Sequence, residues 1–377
     1  MSEYQQYEFL AVDRPLTRVQ LDAVNALSSH IEASSTHALV DYQWGNFKHD
    51  LIQVLSEFFD GFLYWANWGS PRLALRFPHG ILPDDLIDGY DLDEVVTFTR
   101  QPDYDILDMH FASLEGPDEW IDYELGSLIG IRDELMDGDL RALYIVWLAV
   151  QHIMGISGEP ESSERCAPVV PPAFGKLTAA QQALADLFQI PQELLVVAAR
   201  YSKATAPSAD DDVAAWVTSL SADRRDEYLI RLAHNEPGLS RRLIRELREL
   251  NQDQASMQVS TGVCVAYATL LSESKALKAS WQREKREQEQ AAHQRHLQDI
   301  HDHQTAYWHQ VEQAVTRGSG AGYDDAIHLL IELRETANHF QASQEFQKRF
   351  SAWVLSHLRR PAFVRRLQDR RFPLPEM

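Results

Sequence analysis

The chain has 377 residues, more than one typical core holds, and its 45% hydrophobic and 24% charged residues are ordinary for a globular protein. Its net charge of -21 sits in the first half: residues 1–170 hold 30 Asp/Glu against 9 Lys/Arg, whereas residues 171–377 hold 26 of each. That surface repels phosphate and disfavours nucleic-acid binding by the N-terminal half, and two cysteines, Cys166 and Cys264, supply neither a disulfide framework nor a four-thiolate zinc site.

The first region mixes strand and helix signals. Residues 7–12 (YEFLAV) read as a strand, and Thr17 then offers an N-cap. Val19, Leu21, Val24, Leu27 and Ile31 recur at roughly helical spacing, which predicts a helix over residues 18–32. Residues 37–42 (HALVDY) read as a second strand. Residues 47–66 read as an unusually aromatic helix, with Phe58, Phe62 and Trp65 on one face and Phe59 off it. Residues 72–77 form a third strand. Residues 95–99 and 104–111, joined by Gln101-Pro102-Asp103, form a hairpin. The expected architecture is an α+β domain, a small mixed sheet with helices on one face.

From residue 118 the pattern turns helical. Two helices, 121–135 and 139–154, are separated by Met136-Asp137-Gly138, with Gly138 as C-cap and Asp139 as the next N-cap. The pair closes an acidic domain of residues 1–155. Residues 156–175 are rich in Gly, Pro, Ser and Glu, lack periodicity and coincide with the change in charge, so they read as a linker. Short helices then fill a domain of residues 176–272. Residues 273–316 contain neither Gly nor Pro and predict one long polar helix, with no apolar residue from Gln282 to Gln290. A glycine-rich break at residues 318–322 precedes a helical-hairpin tail, residues 323–377, that ends in a basic helix.

Few residues offer chemistry. His293, His296, His301, His303 and His309 cluster on the polar helix, but three-residue spacing alone, without an HExxH-type arrangement, reads as solvated histidine, and no metal is expected. Asp84, Asp85, Asp88, Asp91, Asp93 and Glu94 do not follow a calcium-loop template and read as a solvated acidic loop. No dinucleotide, P-loop, nucleophile-elbow or CxxC motif occurs, so no cofactor is expected and catalytic residues stay unassigned. The candidate interaction residues are Trp44, Lys48, Phe59, Asn67 and Trp68 in the first domain and Arg359, Arg360, Arg365 and Arg366 in the tail.

Several stretches carry a resemblance: YEFLAVDRPLT at 7–17, YQWGNFK at 42–48, ANWG at 66–69, LMDGDLRALY at 135–144, GKLT at 175–178 and YDDAIHLL at 323–330. Together they resemble an uncharacterised family of bacterial cytoplasmic proteins, and the resemblance spans most of the chain without implying an activity. Residues 323–333 also resemble the first helix of a tetratricopeptide-type hairpin.

Two functions are therefore expected in competition. One is a non-enzymatic interaction or scaffold protein of a bacterial multi-protein system, taking a partner with a basic surface or a second copy of itself. The other is a ligand-binding protein or enzyme with its site on the first domain, for which a buried, pocket-lining Asn67 would speak. With no basic n-region and no apolar run of the roughly 20 residues that a membrane helix needs, the expected location is cytoplasmic, away from membranes.

Overall fold

The computed structural model describes residues 3–82, 90, 92, 95–116, 122–157, 167–203, 213–234, 238–255 and 264–374. The acidic residues Asp84, Asp85, Asp88, Asp91, Asp93 and Glu94, and residues 158–166 of the expected linker with Cys166, lie outside them. The chain forms two compact units, residues 1–277 and 278–377.

The first unit is built on a seven-stranded sheet. The strands are β1 (Gln5–Leu10), β2 (Ile31–Ala33), β3 (His37–Tyr42), β4 (Gly61–Ala66), β5 (Gly69–Pro78), β6 (Val96–Arg100) and β7 (Tyr104–His110), in the order β2-β3-β1-β4-β5-β7-β6. Every pairing is antiparallel, so the sheet is not mixed as expected. Helices also cover both faces rather than one. Tyr7, Phe9, Val40, Phe62, Ala74 and Ile106 pack under α1 (Arg18–Asn25) and α2 (Leu51–Phe58), which contribute Val24, Val54 and Leu55. On the opposite face, Leu63, Leu73, Leu75, Leu107 and Met109 share a core with α3 (Leu125–Leu128), α4 (Gly130–Met136) and α5 (Arg141–Ser157).

Local signals explain where these elements start and stop. Thr17 caps α1, as the sequence predicts, and the structure adds a reciprocal capping box with Gln20. The helix ends at Asn25, earlier than expected, because Ile31 leaves the helical face to pair with Val40 across β2 and β3. The aromatic helix expected over residues 47–66 is in fact a short helix followed by β4. Strand β4 is buried on both faces, with Phe62 and Tyr64 on one core and Leu63 and Trp65 on the other. A strand covered on both sides loses its apolar–polar alternation, and its continuous run GFLYWA then mimics a buried helix. Phe58, Phe62 and Trp65 therefore share no helix face. At the end of α4, Gly138 takes a φ of 87° and Asp139 Oδ1 accepts the Arg141 amide at 3.1 Å, as the composition of that turn predicts.

The core crosses the segment read as a linker. Val170 and Phe174 are buried in the same cluster as the sheet residues, together with Leu184 and Phe188 of α6 (Ala179–Leu187) and Leu194 and Val197 of α7 (Gln192–Arg200). The two units thus divide at residues 277 and 278, not at 156–175. The first unit also holds α8 (Val213–Ser219), α9 (Ala222–Ala233) and α10 (Leu239–Ala255).

Helix α11 (Tyr267–Asp302) contributes to both units, and Gln282–Gln290 within it is exposed at every position. It stops at His303, so the long helix expected to residue 316 is two helices, the second being α12 (Gln304–Thr316). The second unit adds α13 (Gly320–His339), α14 (Ser343–Val354), a 3-10 turn (Leu355–His357) and α15 (Pro361–Asp369) around Trp308, Val311, Leu330, Phe350 and Phe363. The break expected at residues 318–322 shrinks to Gly318, since Ser319 caps α13 by accepting from the Gly322 amide.

Candidate functional site at one end of the sheet

Residue Gln5 of β1 pairs with Tyr42 of β3 on one side and Ala66 of β4 on the other. Both neighbours run antiparallel to β1, so the chain leaves both at the same end of the sheet. The β3–α2 connection carries Trp44 there, and the β4–β5 turn carries Asn67 and Trp68. Strands spaced by ~4.8 Å put these two exits roughly 10 Å apart, with Tyr4 between them. Trp44 is 72% exposed and Trp68 43% exposed, and neither indole N–H has a hydrogen-bond partner among the described residues.

The connection holding Trp44 is fastened from below. Gln5 is buried, and its Oε1 accepts the Tyr7 hydroxyl at 2.8 Å and the Tyr64 hydroxyl at 3.2 Å. Its Nε2 donates to Asn46 Oδ1 at 3.0 Å and to the Gly45 carbonyl. Burial pushes the Tyr7 and Tyr64 hydroxyls up, so both stay protonated, and the Gly45 carbonyl, which can only accept, fixes which end of the Gln5 amide donates. Gly45 takes a φ of 90°, which turns the chain so that Trp44 projects outward.

The turn holding Trp68 is clamped from behind. Gly69 has a φ of 110°, and a Cβ placed there would lie 2.0 Å from the Leu114 carbonyl oxygen. Ser70 N–H donates to Leu114 O at 2.7 Å and Gly116 N–H to Trp68 O at 3.0 Å. Asn67 faces the other way: its N–H donates to Tyr4 O at 3.0 Å and its Oδ1 accepts Tyr4 N–H at 3.1 Å. Asn67 is half-buried and acts as a brace for Tyr4.

Electrostatically this end is acidic. The Tyr4 hydroxyl donates to exposed Asp41 at 3.0 Å. Burial first, then the hydrogen bond and charge of Asp41 and the charge of Asp122, push that hydroxyl above its ordinary value. Lys48, exposed in the same connection, is the nearby cation in sequence.

Among the sequence candidates, then, Trp44, Asn67 and Trp68 meet at one sheet end, and Lys48 lies in the connection bearing Trp44. Phe59 is a correction: it is fully buried, with its ring centroid 5.2 Å from that of Phe9, because it closes α2 and points into the core. The arginines belong to the second unit and divide among themselves. Arg360 donates to the Val315 carbonyl, and Arg366 binds Asp324 at 2.6 Å, so both serve the fold of that unit. Arg359 and Arg365 are exposed. Sequence reasoning missed Tyr4, Gln5 and Asp41. Only Gln5 left a trace, as a polar residue in phase with Tyr7 and Phe9.

Two histidines of the polar helix pair with carboxylates, His293 with Glu335 at 3.0 Å and His296 with Glu332 at 3.4 Å. No group of three or more potential ligands is placed to hold a metal among the described residues. No helix among them is long and apolar enough to cross a membrane. No family model matches the chain, and neither a curated protein nor a solved structure matches it.

Proposed function

We propose that the chain is a non-enzymatic interaction or scaffold protein of the bacterial cytoplasm, whose first unit takes a basic polypeptide segment at the Trp44–Trp68 end of the sheet. The observation that carries this reading is a pair of exposed tryptophans, each held by buried hydrogen bonds or backbone clamps, beside carboxylates. Tryptophan is the residue most enriched where protein partners bind tightly. Its face also attracts Lys and Arg cations, by about 0.5–1 kcal/mol at an exposed site. Fastening both backbone turns before binding lowers the entropy lost on association. The surplus of acidic residues in the first 170 supplies long-range attraction for a basic partner. Asn67, which would line a pocket in an enzyme built here, is spent on the Tyr4 backbone.

The test is a titration of the full chain with Arg/Lys-rich peptides, the sequence of residues 359–371 among them, followed by tryptophan fluorescence at low and high salt. Saturable binding that weakens with salt and falls about tenfold or more in a Trp44→Ala, Trp68→Ala double variant supports the reading. Binding untouched by the double variant, or none to any basic peptide at low salt, removes it.

A further inference from the structure

The opposite end of the same sheet is built from charge. Strand β5 ends at Pro78 and pairs there with Tyr104, the first residue of β7, while β1 ends at Leu10, three residues before Asp13. Between these ends and the start of α10 lies a cleft of about 790 Å³, lined by Asp13, Arg14, Arg76, His79, Asp103 and Arg242 among others. That volume suits a small organic ligand.

Most carboxylates of this end are already engaged by hydrogen bonds or ion pairs. Asp60 is buried, and its Oδ1 accepts Arg76 Nη2 at 2.6 Å while its Oδ2 accepts the Val12 and Asp13 amides at 2.7 and 2.9 Å. Asp13 takes a two-pronged pair from buried Arg132 at 2.6 and 2.9 Å. Asp105, only 2% exposed, accepts the Gly80 amide at 2.8 Å and holds His79 Nδ1 at 3.1 Å. Gripped through Nδ1, the half-exposed His79 ring keeps Nε2 on its far side. Arg14, by contrast, is exposed and makes no hydrogen bond or ion pair among the described residues. The guanidinium of Arg76 spends three of its five N–H groups on Asp60 and the Ser56 carbonyl. Arg242 reaches in from α10 to the His79 carbonyl. The first 170 residues have only nine Lys/Arg, and two of them line this cleft while a third, Arg132, supports it.

We propose that this cleft is a binding site for a small molecule bearing an oxyanion, phosphate or carboxylate, with Arg14 as its principal contact and Arg76, Arg242 and His79 around it. Planar guanidinium forks match the oxygen pairs of both groups; Asp60 holds the Arg76 fork in position, and no carboxylate is paired with Arg14 among the described residues. Asp103 is the lining carboxylate that has no ion pair among the described residues, and it opposes the ligand. The proposal does not depend on the tryptophan end.

The experiment is calorimetric titration of the full chain with inorganic phosphate and, separately, malonate, at constant ionic strength. One saturable site for either anion is expected, and the preferred anion tells which class the ligand belongs to. Arg14→Ala should weaken binding about tenfold or more, with the melting temperature of the free protein unchanged because Arg14 supports nothing in the fold. Asp103→Asn should tighten it, an effect that a merely structural role would not give. Trp44→Ala should leave anion binding as it is. Absence of binding by both anions, or equal binding by the parent and Arg14→Ala, overturns the proposal.

Discussion

The two ends of the sheet in the first unit solve opposite problems. At the Gln5 end, a buried amide and backbone clamps hold two aromatic rings out in solvent. At the Leu10 end, buried Asp60 holds Arg76 and Asp13 holds buried Arg132, and much of the charge is turned inward. The chemistry of each support follows from what it must hold. Neutral hydrogen bonds fix a loop at little desolvation cost, whereas a buried guanidinium needs a carboxylate in contact with it. The first end is therefore a surface whose display groups contribute little to stability. The second is a structural ion network whose removal should be felt throughout the unit.

The sharpest way to break this comparison is Asp60→Ala. It leaves Arg76 without its carboxylate and two backbone amides without an acceptor. We expect a loss of about 3–5 kcal/mol in urea unfolding of the full chain. Burial by itself would raise the Asp60 carboxyl, but the Arg76 hydrogen bonds, the Asp13 and Val12 amides and the Arg76 charge outweigh it and hold the carboxyl below its ordinary value. A carboxyl held low in the folded state stabilises above its unfolded value, ~3.9, and that contribution disappears as pH falls through the folded value. Melting temperature should consequently decline below about pH 4 in the parent, and less steeply in Asp60→Asn. A parent and variant with parallel pH profiles would show that Asp60 is not a source of acid sensitivity.

Second in size is Gly69→Ala at the aromatic end. The left-handed backbone and the 2.0 Å approach to the Leu114 oxygen leave no room for a methyl group. A loss of about 2–4 kcal/mol is expected from strain and displacement together. If the variant melts within a degree of the parent, the turn is not clamped and the display of Trp68 loses its physical basis.

How far these ends could be read in advance differs for a physical reason. Trp44, Asn67 and Trp68 stand out as residue types in turn-forming contexts, but their meeting at one end depends on the register of β1 with β3 and β4. The strand that sets half of that register, β4, reads as helix in the sequence because both its faces are buried. Local signals are better guides: the Thr17 N-cap, the strand His37–Tyr42 and the hairpin of β6 and β7 all rest on patterns within a few residues. The charged end was illegible. Asp13 and Arg132 are 119 residues apart and His79 and Asp105 are 26 apart, and no spacing rule links such pairs. The charge asymmetry even pointed away from it, since a net count hides a few arginines gathered in an acidic region.

The smallest expected effect sharpens the comparison most. Trp44→Ala should change unfolding free energy by no more than about 0.5 kcal/mol, the usual range for a surface substitution. The ring is 72% exposed, and the loop beneath it is held by Gln5, Asn46 and the Gly45 carbonyl, none of which involves the indole. Trp68 should cost somewhat more, because over half of its surface is covered. Gln5→Ala is the informative control. It strips the acceptor from two buried hydroxyls and the donor from the loop, so it should destabilise by more than either tryptophan variant, about 1–3 kcal/mol. That ordering, Gln5 above Trp68 above Trp44, is what a surface mounted on a buried support requires. A Trp44→Ala variant less stable than Gln5→Ala would place the indole in the core, and the end of the sheet would then be packing rather than a place for a partner.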